Sequence, residues 1–400
     1  MQQQGSILHH ATTRQHINQV DAVRYIARII ICHLHRSIVM DMQDSPSKIS
    51  IDLIRVVAIC AVILCHAAVY AVNSPNYNPT ILQWFTVHIY LSIGHLGVPL
   101  FIMLTGALLL VPSKKQEDLG DFFKKRFSRI GLPFLFWGVA YFIWNFCVEK
   151  YPITGTFIIN GILSGPYIIF WYLYMLFGLY LLTPMLRVMV SHFTEKLFKY
   201  FMIIWFVGVA LVPLISLASN GQIFLDPNVF VIPLCVGYFV LGAYFVNVRI
   251  RRDVLAALTI SGVTLSVIAT YFMAKYVGGA SKYFFQDYSS LTIILAAVPL
   301  FILLNSYVSA DTKHQKVTLR RKTIWKQRVM QVISKNSLAI FFLHMIILYT
   351  LQKGTLSVAF TNYINDDIIG VPVKVALSLI LSLISIIPLK KIPYLKKFIG

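Results

Sequence analysis

The sequence predicts an all-α, polytopic integral membrane protein with about ten transmembrane helices and both termini in the cytoplasm. Two observations predict it. First, 58% of the 400 residues are hydrophobic and only 12% are charged, with a mean hydropathy of +0.72. Soluble domains carry roughly 25% charge, so this chain lacks the polar surface to cover a water-facing body. Its 28 Phe and 21 Tyr exclude a disordered chain. Second, the basic residues alternate between dense and nearly empty loops along the whole chain.

A spanning helix needs about 20 mostly apolar residues. Ten stretches qualify: 51–72, 94–112, 130–148, 167–185, 200–218, 229–247, 254–276, 288–307, 336–353 and 369–389. The second is short and interrupted by Gly and Pro. The apolar stretch before it, 81–93, is expected to lie in the interface or to re-enter. Lysine and arginine collect in cytoplasmic loops. Loop 113–129 holds six, 186–199 three, 248–253 three, 308–335 eight and 390–400 four. The alternate loops 73–80 and 219–228 hold none, 149–166 holds one, and a few lie around Lys275, Lys282, Lys353 and Lys374. This alternation sets the topology and accounts for the net charge of +20 without a nucleic-acid partner. The basic loops sit against anionic membrane lipids. The expected location is the inner or plasma membrane, crossed many times.

Three parts follow: a polar and basic segment 1–48, a transmembrane domain 49–390, and a basic cytoplasmic tail 391–400. Residues 24–39 have the pattern of a basic amphipathic helix lying on the membrane. The alternative is that translation starts at Met40 or Met42. His9, His10, His16, His33 and His35 in this segment show no metal-ligand spacing. The five cysteines, Cys32, Cys60, Cys65, Cys147 and Cys235, form no CxxC or CxxH pattern, so neither a disulfide framework nor a metal site is expected. The loop 308–335 reads as a cytoplasmic arm or surface helix.

Ionisable residues inside a membrane are costly and are functional candidates. In the first helix Arg55 and His66 are eleven residues apart, within about 20° of three full turns, so both lie on one face, about 16 Å apart along the axis. Asp52 stands three residues before Arg55 and can pair with it. Alternative roles are a snorkelling anchor for Arg55 and interhelical packing for His66. In GHLGVPLFIMLTGALLLV, Gly94, Gly97, Pro99 and Gly106 thin the helix, with His95 and Thr105 alongside. Such irregular backbone at membrane depth needs protein or water around it, although close helix packing explains it equally. In FFKKRFSRIGLPF, Arg126 and Arg129 share a face at i, i+3. Guanidinium groups bind phosphates in bidentate fashion, and ordinary positive-inside charge is the alternative. His344 lies mid-span in KNSLAIFFLHMIIL, as a ligand-facing or a packing histidine. No Asp or Glu lies deep in any span, and there is no Walker A sequence, no GxSxG elbow and no HExxH. The membrane histidine is therefore the best available general base.

These features in order resemble the acyltransferase-3 family of polytopic membrane acyltransferases. The pieces are Asp52-x-x-Arg55 with an Arg-x10-His spacing ending at His66, GVPLFIMLTGALLL, KKRFSRIGLP, WYLYMLFGLYLLTP, VGYFVLGAYF and ISKNSLAIFFLHMIIL, spanning about 49–389. The resemblance implies an acyl-CoA donor, usually acetyl-CoA, bound from the cytoplasm as a substrate, with no tightly bound cofactor. It implies a hydroxyl acceptor on a surface glycan or its lipid-linked precursor. By position His66 would be the catalytic histidine and Arg55 its motif partner. Arg126 and Arg129, with Asp52 near the same mouth, would hold the donor. His95, Thr105, Trp171 and His344 are candidates for the acceptor site. The family often has Ser at the place of Thr105 and an arginine near that of His95, so charge at this second position is set by pH here. A glycan or lipid transporter or flippase is the rival reading, and the missing deep carboxylates and inverted repeats weigh against it. An inactive scaffold that binds no CoA is a third.

Overall fold

The computed structural model describes residues 47–73, 78–111, 117–152, 154–219, 233–307, 321–352 and 367–400. About 83% of these are helical and they contain no strand. The expected amphipathic helix at 24–39 lies outside them.

Several helices start where the sequence supplies a side-chain cap. In α1 (Lys48–Val72) the Ser47 hydroxyl accepts from the Ser50 amide. In α2 (Ile81–Gly94) Thr80 and Gln83 form a reciprocal capping box. A two-residue break at His95 and Leu96 leads into α3 (Gly97–Leu109), and together they make one span, Ile81–Leu109. Residues 81–93, expected to lie in the interface or to re-enter, thus form the first half of one broken helix that is long and apolar enough to cross a membrane. Helix α4 (Leu119–Cys147) is capped by Asp118 and carries Asp121 in its first turn, where the helix dipole favours negative charge. It therefore starts eleven residues before the expected span, and Arg126 and Arg129 are helical rather than in a loop. After α4 come α5 (Gly155–Leu163), α6 (Phe170–Ser191), α7 (Glu195–Ala218, with a π-helical stretch at Val207–Leu211) and α8 (Leu234–Phe245). The rest are α9 (Arg252–Tyr276), a 3-10 segment (Ala280–Gln286), α10 (Leu291–Tyr307), α11 (Arg321–Lys335), α12 (Ser337–Gln352), α13 (Gly370–Leu389) and α14 (Lys396–Ile399).

Among the described residues eight helices are long and apolar enough to cross a membrane, or nine if α11 and α12, bent by 75° at Asn336, form one span. Within the expected span 229–247 the described residues begin at 233 and hold the 12-residue α8. The described part of the basic loop 308–335 is the helix α11. The segment expected as a tail, 391–400, folds back through α14, whose Ile399 is fully buried.

Helix α1 is the hub of the bundle, packed against α2, α3, α10, α11, α12 and α13. Glycines set the closest approaches. A Cβ on Gly97 would stand 2.8 Å from the Ala58 carbonyl of α1. A Cβ on Gly106 would stand 1.8 Å from the Phe239 carbonyl, and one on Gly242 1.8 Å from the Met103 carbonyl. Thus α3 and α8 cross backbone against backbone. On α4, Leu135, Val139 and Ile143 are exposed at four-residue spacing, forming an apolar outer face. The opposite face carries a ladder at the same spacing. The Trp137 indole donates to the Ile399 carbonyl at 3.2 Å, the Tyr141 hydroxyl to the Phe342 carbonyl at 2.6 Å, and the Asn145 amide to the Pro166 carbonyl at 2.7 Å.

Candidate active site

Because α1 is one unbroken helix, Arg55 and His66 project from the same face, as the spacing requires. At the Arg55 end three expected residues come together. The Tyr180 phenol of α6 lies within electrostatic range of Arg55, Arg126 and Arg129. Arg129 is exposed, whereas Arg55 and Arg126 are half-buried. Glu117 bridges to Lys125 at 2.9 Å and to Arg126 at 3.6 Å. The hydrogen bond from Lys125, then the charge of Arg126, hold the Glu117 carboxyl below its ordinary range. The guanidinium groups of Arg126 and Arg187 lie over the Phe122 ring at 4.7 and 4.9 Å, and Arg187 also donates to the Leu109 carbonyl. This end can hold a polyanion.

Asp52 does not complete an ion pair with Arg55. It is buried, and its carboxylate accepts a 2.5 Å hydrogen bond from Ser334 of α11. Asp52 therefore ties α1 to the end of α11, next to the bend at Asn336. Replacing Ser334 with alanine leaves a buried carboxylate short of a donor and is expected to cost about 1.5–3 kcal/mol, measured as a loss of thermal stability in detergent.

His66 lines a small cavity of about 30 Å³ with Cys65, Trp171, Tyr172, Tyr288 and Phe341, closed by Val62, Gly94, Val98 and Ile169. That volume suits one or two water-sized groups. A second cavity, about 250 Å³, opens at the far end of α1. Asn73, His95, Tyr283, Gln286 and Asp287 give it a polar lining over Val69, Val72 and Leu91. The layer between the two is Cys65, His95 and Tyr288. The Cys65 sulfur lies 3.9 Å from each His95 ring nitrogen, and the His95 and Tyr288 ring centres are 5.2 Å apart. His95 Nδ1 donates to the Leu91 carbonyl of α2 at 2.7 Å, which fixes the ring at the helix break. Gln286 is fixed by donating 3.0 Å hydrogen bonds to the His88 carbonyl and the Ser92 hydroxyl.

The other expected residues separate. Trp171 reaches the His66 cavity. Thr105 lines neither cavity, because its hydroxyl donates to the Phe101 carbonyl at 2.7 Å within its own helix. His344 is completely buried beside His66, with ring centres 5.3 Å apart, and it too lines neither cavity.

A family model described as an acyltransferase domain, Acyl_transf_3, matches residues 48–388. The chain belongs to the acyltransferase-3 family. No curated protein and no solved structure matches it. Membership makes it a multi-pass membrane acyltransferase, and the matched span contains the basic end, both cavities and every helix from α1 to α12. For an acyltransferase-3 protein the sequence reading missed Tyr180, Arg187, Tyr288 and Gln286. Tyr180 stands inside the quoted WYLYMLFGLYLLTP, but nothing in its spacing marks it among seven apolar neighbours. Arg187 was counted only as loop charge. Gln286 and Asp287 precede a span, and only the fold of the 3-10 segment brings them to the end of α1.

Proposed function

We propose that this acyltransferase transfers an acetyl group from acetyl-CoA to a hydroxyl of a surface glycan or its lipid-linked precursor, in the inner or plasma membrane. One observation carries the reading. His66 sits in a small cavity between a basic end and a separate polar cavity, all arranged along one helix. The phosphates of coenzyme A suit Arg55, Arg126 and Arg129, because charged groups cannot enter lipid cheaply. The pantetheine arm is long enough to run along α1 toward His66. The polar cavity offers amide, carboxylate, imidazole and phenol groups to sugar hydroxyls.

In this scheme a neutral His66 imidazole takes the proton from the acceptor hydroxyl as its oxygen attacks the thioester carbonyl. The carbon–sulfur bond then breaks and the proton passes to the departing thiolate, giving ester and free CoA. A route through an acyl-histidine uses the same residue as nucleophile. Asp52 acts by bracing α1, and His95 and Trp171 line the acceptor path. The layout is most like the O-acetyltransferase that modifies enterobacterial common antigen.

Arg126→Ala is expected to raise the KM for acetyl-CoA several-fold with little change in kcat, since it removes binding shared by ground and transition states. Steady-state kinetics of CoA release measure this. The deciding experiment is the acetyl content of the cell's surface glycans by mass spectrometry. It compares a deletion strain, the same strain with the gene restored, and one carrying His66→Ala. Acetyl groups lost in the first and third and regained in the second are the expected result. Unchanged acetylation in all three overturns the assignment and turns attention to a lipid or small-molecule acceptor, or to transport.

A further inference from the structure

His344 is the one group at the site with an unexplained polar atom. Its Nδ1 donates to the Ile340 carbonyl of its own helix at 3.2 Å. Its Nε2 is buried with no hydrogen-bond partner. An unsatisfied buried polar atom carries the full cost of its desolvation, and one retained in a native core calls for a functional explanation. Nδ1 carries the proton it gives to Ile340, so Nε2 of the neutral ring is a free acceptor. The neighbouring ring is His66, at a centroid separation of 5.3 Å and a tilt of 44°. The two rings make no hydrogen bond as they stand; at that centre separation, turning one nitrogen of each ring toward the other brings the pair to about 3 Å, ordinary hydrogen-bond distance.

We propose that His344 is the positioning residue of His66, its Nε2 accepting the N–H of the His66 ring that faces away from the cavity. This rests on the reading of His66 as the base. Its effect is to select one His66 tautomer. The proton sits on the nitrogen facing His344, and the lone pair sits on the nitrogen facing the cavity. When His66 takes the acceptor's proton it becomes an imidazolium, and its bond to His344 becomes charge-assisted and stronger. The pair does with two imidazoles what a carboxylate behind a catalytic histidine does in hydrolases. Such bonds are often loose without substrate and tighten when the reactants are in place. The role explains why His344 lines neither cavity: it works through His66 and not on the acceptor.

The test is ¹⁵N-histidine NMR of the full chain in lipid bilayers, with His66 assigned by the signal lost in His66→Gln. A single His66 tautomer is expected in the wild type and in His344→Gln, whose amide oxygen accepts at the same reach. Both tautomers are expected in His344→Phe, which keeps an aromatic ring against Phe341 but has no acceptor. Glycan acetylation in cells should fall at least tenfold with His344→Phe and be largely kept with His344→Gln. A residue that only fills space gives the opposite order. Two tautomers in the wild type, or one in His344→Phe, overturn the proposal. The wild-type spectrum decides even if the phenylalanine variant does not fold. If the deletion strain keeps its acetyl groups, the acetyl-transfer reading falls while the tautomer result still decides the pairing.

Discussion

Replacing His66 with alanine is expected to abolish acyl transfer while the protein remains folded and membrane-inserted. The side chain is half-buried and, among the described residues, makes no hydrogen bond, so its removal breaks no part of the frame. The tight approach of α1 to α3 runs through Gly97 against Val62 and Ala58, about one and two turns away. The chemistry is the sensitive quantity. General base catalysis contributes roughly 10²–10⁴-fold, and the alternative acyl-histidine route loses its nucleophile altogether. Free CoA released from acetyl-CoA by purified protein, at equal amounts of folded enzyme, measures the effect. Wild-type turnover by the alanine variant would remove His66 from the mechanism.

The largest effect on stability is expected from Gly106→Ala. Its added methyl would stand 1.8 Å from the carbonyl oxygen of Phe239. That neighbour is backbone, so no side chain can rotate out of the way, and helices α3 and α8 must separate. Overpacking of a dense core costs typically 1–3 kcal/mol and sometimes more, and this contact belongs at the top of that range. Gly242→Ala, meeting the Met103 carbonyl at the same crossing, should behave alike. Gly178→Ala in α6 is the control, since no atom lies within 4 Å of its Cβ position. Thermal unfolding in detergent should show a large drop for the first two and none for the third. An unchanged midpoint in Gly106→Ala would mean that the crossing is not as close as described.

The particular residues show what was legible beforehand. Arg55 and His66 were placed on one face by arithmetic alone, because helical periodicity holds wherever the helix is unbroken. Arg126 and Arg129 are read as one helical face at i, i+3, and only the start of the helix differs, because the Asp118 cap begins α4 eleven residues before the expected span. Asp52 was assigned to its neighbour in sequence, yet its partner Ser334 is 282 residues away. Periodicity carries no information about such a pairing. The same limit hid Tyr180, Gln286 and Tyr288. Their roles depend on which helix ends the bundle gathers at either end of α1, and on the small residues that let those helices approach. Gly94 and Gly97 were open between site and packing. Both pack against α1, and Gly94 by that packing also forms a wall of the His66 cavity.

The hydrogen-bond ladder on α4 also bears on how the protein is made. Trp137 takes its acceptor from 262 residues further along, and Tyr141 from 201. During synthesis the first half of the chain enters the bilayer with these two donors unmatched. In hydrocarbon no water is at hand to relieve them. Only when the later helices arrive do these two donors meet the acceptors they hold in the finished bundle. The Trp137 donor is met by the Ile399 carbonyl of α14. Loss of the few residues around Ile399 should thus act late in biogenesis, producing a protein that inserts at a normal rate and is then cleared before it matures.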